Sequence, residues 1–168
     1  MFPVLLCLWC IKAGGEIMKS IYDWLISLFH KPQIYLGYRV FRIFQELSSY
    51  ELYLLHGIVH QRSFKANEVL YETGYPMEVI YLIIEGEISL NDVEHQIGKD
   101  KVLGLWDMFS GAKRNSTAIA QTDVSVYAIS RSDLMELMEA RPRLGMKILQ
   151  GCCAEIVQDA LILRAREH

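Results

Sequence analysis

Hydrophobic and polar positions alternate between two periods along the chain. Ile21, Trp24, Leu25, Leu28 and Phe29 recur at helical spacing, which predicts a helix from Met18 that Pro32 stops. A second helical stretch is expected over about 35–45. A third follows Leu47, where Ser48-Ser49-Tyr50-Glu51 reads as a capping box: Ser48 accepts from the amide of Glu51 while Glu51 reaches back. The stripe Leu52, Leu55, Val59 carries that helix to an expected end near His60.

From about Ser63 the period changes. Val69-Leu70-Tyr71 is rich in strand formers, and Gly74-Tyr75-Pro76 is a turn signal. The unbroken run at 79–84 suits a strand buried on both faces. Gly86 breaks it, Ile88 and Leu90 alternate, and further strands are expected at 117–120 and 124–129. Short strands at this spacing argue for a β-roll or jelly-roll barrel, so the fold class is mainly β with flanking helices. The helical period returns at Ser130, with Ser130 or Ser132 as the expected cap. Pro142 opens the last helix, whose stripe is Leu144, Ile148, Leu149, Cys152, Ile156 and Leu163. That stripe either packs on the roll or pairs with a partner. The organisation read from these patterns is a leader at 1–17, amino-terminal helices at 18–60, the β-roll at 61–129 and carboxy-terminal helices at 130–168.

Composition narrows the function. Apolar residues make up 52% of the 168, charged residues 22%, and the net charge is −3, a globular balance without the basic excess that nucleic-acid binding favours. Cys152 and Cys153 are adjacent and Cys7-x-x-Cys10 lies in an apolar run, which suits a reducing, cytoplasmic setting and no disulfide framework. The apolar segment 1–11 is about half the roughly 20 residues a bilayer crossing needs. Ala13-Gly14-Gly15-Glu16 before Met18 points to Met18 as the natural start. The helix at 18–32 carries few cations for a membrane-surface helix, so membrane contact through it is the lesser expectation. His56 and His60 stand four apart without a third metal ligand following them, and Glu85 and Glu87 share a strand face that reads as solvated. No nucleophile elbow or phosphate-cradling loop occurs, so no enzyme mechanism, metal or catalytic residue is expected. Asn115-Ser116-Thr117 fits a glycosylation pattern but has no secretion signal before it.

The local residues sharpen the fold. Phe64-x-x-Asn67-Glu68-Val69-Leu70-Tyr71-x-x-Gly74, followed by Ile80-Tyr81-x-Ile83-x-x-Gly86-x-Ile88, resembles the cyclic-nucleotide-binding domain family over about 44–163. The resemblance implies that Gly74 and Gly86 make turns, and that the segment from Gly104 to Thr117 corresponds to the phosphate-binding cassette. It makes Arg114 the candidate for a cyclic phosphate and cAMP or cGMP the ligand class; a guanidinium fork suits phosphate oxygens. The amides near Leu105 to Asp107 would add donors. Two positions depart from the family pattern. Leu105 stands where the family has a glutamate for the ribose hydroxyl, a loss of about 1–3 kcal/mol, roughly ten- to a hundredfold in affinity. Asn115 replaces the usual small hydroxyl residue. Trp106, Met108 and Phe109 are bulky enough to fill the cavity, and Arg114 has Asp107 and Glu85 as alternative partners within the chain. The expected function is a regulatory, ligand-sensing module with altered or lost nucleotide recognition. No DNA-reading module is expected after the roll, and the last helix is the candidate surface for a homodimer or protein partner. The alternative is a scaffold protein, membrane-peripheral or not, built on an inert barrel.

Overall fold

The computed structural model describes residues 33–91, 93–110 and 113–166. The expected leader, the helix at 18–32 and the Cys7–Cys10 pair lie outside them. The described chain runs α1 (Gln33–Leu36), two 3-10 turns (Gly37–Val40 and Arg42–Phe44), α2 (Ser49–His56), β1 (Val59–Phe64), β2 (Val69–Tyr71), β3 (Val79–Glu85), β4 (Ile88–Leu90), β5 (Val93–Ile97), β6 (Val102–Leu103), α3 (Leu105–Ser110), β7 (Ala118–Ala120), β8 (Val124–Ser130), α4 (Arg131–Ala140) and α5 (Pro142–Arg166).

The helix expected over 35–45 is broken at Phe41, which is extended. Tyr35, Tyr38, Phe41 and Phe44 are all buried, and they recur at intervals of three. That is the 3-10 period, so burying all four rings favours the tighter turns over a continuous α-helix. α2 opens on the capping box: the Glu51 amide donates to Ser48 Oγ at 3.3 Å and the Ser48 amide to Glu51 Oε2 at 2.7 Å. It stops at His56, short of the expected His60, because Val59 already pairs with Ile129.

The strands form two antiparallel four-stranded sheets, in the orders β1-β8-β3-β6 and β2-β7-β4-β5. The run at 79–84 reads as uninterrupted apolar sequence because β3 is covered on both faces. Ile80 and Leu82 enter a core shared with the helices, whereas Tyr81 and Ile83 enter the core between the sheets. β8 divides in the same way, with Val126 and Ala128 toward the second sheet and Ile129 toward the helices. Each fully buried aliphatic here contributes about 1.5–3 kcal/mol. Gly74 and Gly86 turn the chain with φ of +85° and +92°; a Cβ on Gly86 would lie 2.9 Å from the Val124 Cα.

The helices close one face. Leu134 and Met138 of α4 join Leu144, Ile148 and Cys152 of α5 in the same core, and Ile156 packs against it. These residues of the α5 stripe therefore cover the roll, while Leu149 remains 37% exposed. Ser130 precedes α4 in extended conformation without a side-chain capping bond; its Oγ instead lies 2.7 Å from Ser132 Oγ, so the expected serine cap is not formed. Among the described residues no helix is long and apolar enough to cross a membrane.

Candidate functional site

α3 is a short helix between the last strand of one sheet and β7 of the other. Leu105 and Met108, three apart, are 3% and 1% exposed and anchor it in the helical core. That phase sends Trp106 and Phe109 outward, at 54% and 39% exposure. Neither is buried as a plug, contrary to the expectation that they fill the cavity: a helix anchored on Leu105 and Met108 turns Trp106 and Phe109 away from the core. The same phase holds Asp107 nearly buried, at 8% exposure.

Asp107 meets Arg114, which is 3% exposed. Arg114 Nη1 lies 3.4 Å from Asp107 Oδ2, and Nη2 donates to the carbonyl of Val79 in β3. The guanidinium carbon sits 3.9 Å from the centre of the Tyr71 ring, a cation–π contact inside the protein. Burial pushes the Tyr71 phenol up to about 12, with the Arg114 charge opposing, so the ring is a neutral platform at physiological pH. Asn115 Nδ2 donates to the other carboxylate oxygen of Asp107 at 3.1 Å. Of the two partners within the chain expected for Arg114, the structure selects Asp107.

Gly104 makes this packing possible. Its φ is +91°, and a Cβ there would collide with Arg114 Nη1 and stand 3.4 Å from the guanidinium carbon. Any L side chain would thus be strained twice, by its backbone and by the arginine.

Beside this cluster lies a cavity of about 470 Å³. Tyr71, Gly104, Leu105, Trp106, Asp107 and Asn115 form the wall nearest Arg114, and Leu90, Ile97, Val102 and Leu103 supply an aliphatic wall. The candidate residues Gly104, Leu105, Trp106 and Asn115 therefore border one space, with Arg114 behind them. Two contributors come from a part of the chain where the sequence offered no site signal: Asp159 and Ile162 of α5. Lys101, also on the wall, reaches Asp159 Oδ1 at 2.9 Å and Glu155 Oε1 at 3.2 Å. Glu155 is 5% exposed and also holds Arg42 Nε at 3.2 Å. Burial pulls the Lys101 ammonium down, but its bonds to Asp159 and Glu155 outweigh that and raise it. A lysine beside the Gly104–Asp107 segment thus faces α5, a pairing visible only once α5 lies across the roll.

The residues set aside from the sequence stay apart. Tyr38 Oη lies 2.6 Å from His56 Nδ1, and His60 is exposed on β1. Among the described residues no group of three His, Cys, Asp or Glu side chains could hold a metal. Glu85 and Glu87 are exposed.

The described residues thus form a two-sheet roll with flanking helices and a buried arginine next to a small cavity. Residues 61–141 match the family model for the cyclic nucleotide-binding domain, and that segment is a domain of this family, a regulatory binding fold and not an enzyme family. The chain is 24% identical over 136 residues to a global nitrogen regulator of Synechococcus elongatus, covering 75% of this chain and 59% of that protein. It thus spans less than two thirds of that relative. A solved structure from Geobacter metallireducens superposes with a TM-score of 0.67 at 21% identity, covering 77% of this chain and 98% of that one. A cyclic nucleotide-binding domain of Methylobacillus flagellatus superposes at 0.60 with 23% identity, covering 72% of this chain and 70% of that one. These two likenesses are of fold.

Proposed function

We propose that this chain is a regulatory ligand-sensing module in which recognition of cyclic nucleotides is altered and binding is reported through α5. The observation that carries the reading is the cavity of about 470 Å³ shared between the Gly104–Asp107 segment and Asp159 and Ile162 of α5. A molecule seated there touches both the sheet edge and the helix, so its binding energy biases how α5 sits. Leu105 offers no acceptor for a ribose hydroxyl, and Arg114 already has a carboxylate partner; both disfavour ordinary cAMP or cGMP binding. An inert scaffold would give a cleft at this place no occupant, and the titration below separates the two readings.

The output face has its own candidate. Met146, Leu149, Val157 and Leu161 of α5 are 59%, 37%, 57% and 56% exposed and, with exposed Cys153, recur at helical spacing. A second copy of the chain would bury that stripe. Sedimentation should show a dimer that Val157→Glu dissociates; a wild-type monomer at all concentrations removes this part of the reading.

The sensing reading is tested with a neutral apolar fluorophore, N-phenyl-1-naphthylamine, titrated into the wild type and into Leu90→Trp, which narrows the cavity. The expected result is a saturable signal in the wild type, weakened at least tenfold in the variant, with slower amide exchange in the last turns of α5 on binding. No saturable signal, or one unaffected by Leu90→Trp, overturns it.

A further inference from the structure

We infer that Asp107 is a built-in counter-anion that occupies Arg114, so the cavity accepts uncharged or cationic small molecules and rejects a cyclic phosphate until that carboxylate is removed. This rests on the reading of the cavity as a ligand site.

The guanidinium is spent on its own chain. Asp107 Oδ2 takes one arm, the Val79 carbonyl takes the other, the Tyr71 ring covers a face and Gly104 presses against Nη1. Tyr71, Gly104, Asp107 and Asn115 border the cavity, whereas Arg114 is not among its lining residues. An entering ligand therefore meets the Asp107 carboxylate first. Asn115, which stands where the family has a small hydroxyl residue, donates to that carboxylate too, so its amide serves the aspartate.

Among the described residues, the rest of the wall offers no replacement cation. Lys101 is the basic residue on it, and its ammonium is claimed by Asp159 and Glu155. The lining presents two carboxylates, Asp107 and Asp159, to one ammonium, with aliphatic side chains and the exposed Trp106 between. A phosphate would have to displace Asp107 from Arg114 and then sit beside it, like charge against like. A neutral or cationic ligand faces neither penalty and can donate to the carboxylate.

Calorimetry with cAMP and with adenosine, which keeps the base and ribose and lacks the phosphate, separates the cases. In Asp107→Asn and Asp107→Gly, affinity for cAMP should rise at least tenfold relative to adenosine, and adding Arg114→Met should remove the gain. An unchanged ratio, or a gain that survives Arg114→Met, overturns the inference. Should both single variants unfold, thermal shifts of the wild type decide: adenosine stabilising more than cAMP supports it, and cAMP stabilising as much or more overturns it. Failure of the neutral fluorophore to bind would remove the cavity reading while leaving the gain in the Asp107 variants as a separate outcome.

Discussion

Replacing Arg114 by methionine removes a buried cation while keeping most of its volume. The consequence follows from what stays behind: Asp107, 8% exposed, would lose its charged partner. Breaking a buried pair by deleting one member costs about 3–5 kcal/mol, because the remaining charge is desolvated and uncompensated. Asn115 still donates to Asp107, which favours the lower end, near 3 kcal/mol. The double variant Arg114→Met/Asp107→Leu buries no charge and should recover most of that loss, since apolar replacement of a whole buried pair is often neutral or better. Equilibrium urea unfolding is the assay. With a slope of about 1.5 kcal/mol/M for a domain of this size, the single variant's midpoint should fall by about 2 M. The reasoning is refuted if Arg114→Met costs under about 1 kcal/mol, or if the double variant loses the sum of the two single losses.

Four further outcomes follow from the geometry. Gly104→Ala should destabilise by about 2 kcal/mol or more in the same urea assay, from left-handed backbone strain of about 1–2 kcal/mol plus displacement of Arg114; an unchanged midpoint would contradict the packing at that residue. In the dissociated Val157→Glu variant, iodoacetamide should modify Cys153 and spare Cys152, whose thiol is pushed up to about 12 by burial and then by its neighbour Cys153; peptide mass spectrometry reads the pattern. Burial raises the Glu51 carboxyl, but Lys147 and the Ser48 amide and hydroxyl outweigh it and hold the pKa below the usual glutamate value. The stability from that contact is present above the ordinary glutamate range and lost as pH falls through the lowered pKa, so acid melting curves should flatten in Lys147→Met. Lys101→Met should speed amide exchange in α5 from Glu155 onward more than in α4, because it frees the bonds to Glu155 and Asp159.

How far the sequence carried the fold can be traced residue by residue. Ser48 and Glu51 announced a helix start because a capping box is local, and Pro142 announced another for the same reason. The strand at 79–84 was legible because β3 is buried on both faces. β1 was not: it lies at a sheet edge, and His60, Gln61, Arg62 and Ser63 are exposed, so no alternation marks it. β5 and β6 were missed because Glu94-His95-Gln96 interrupts one and the other has two residues.

At the site, Arg114 and Asp107 were recognisable as residue types and even as a pair. The direction of Trp106 was not, because it depends on the phase of α3, and that phase is decided by Leu105 and Met108 entering a core assembled from distant helices. Asp159 and Ile162 carry no local signal. They join the cavity because α5 folds back across the roll, anchored at Glu155 by Arg42 and Lys101.

Side-chain NMR of the Arg114 guanidinium, assigned by comparison with Arg114→Lys, gives the most immediate view of whether this cation is already engaged within its own chain. Slowly exchanging Nη protons, unmoved by added cAMP or inorganic phosphate and released in Asp107→Asn, are the predicted result. A guanidinium that exchanges freely in the wild type and shifts when phosphate is added would contradict it.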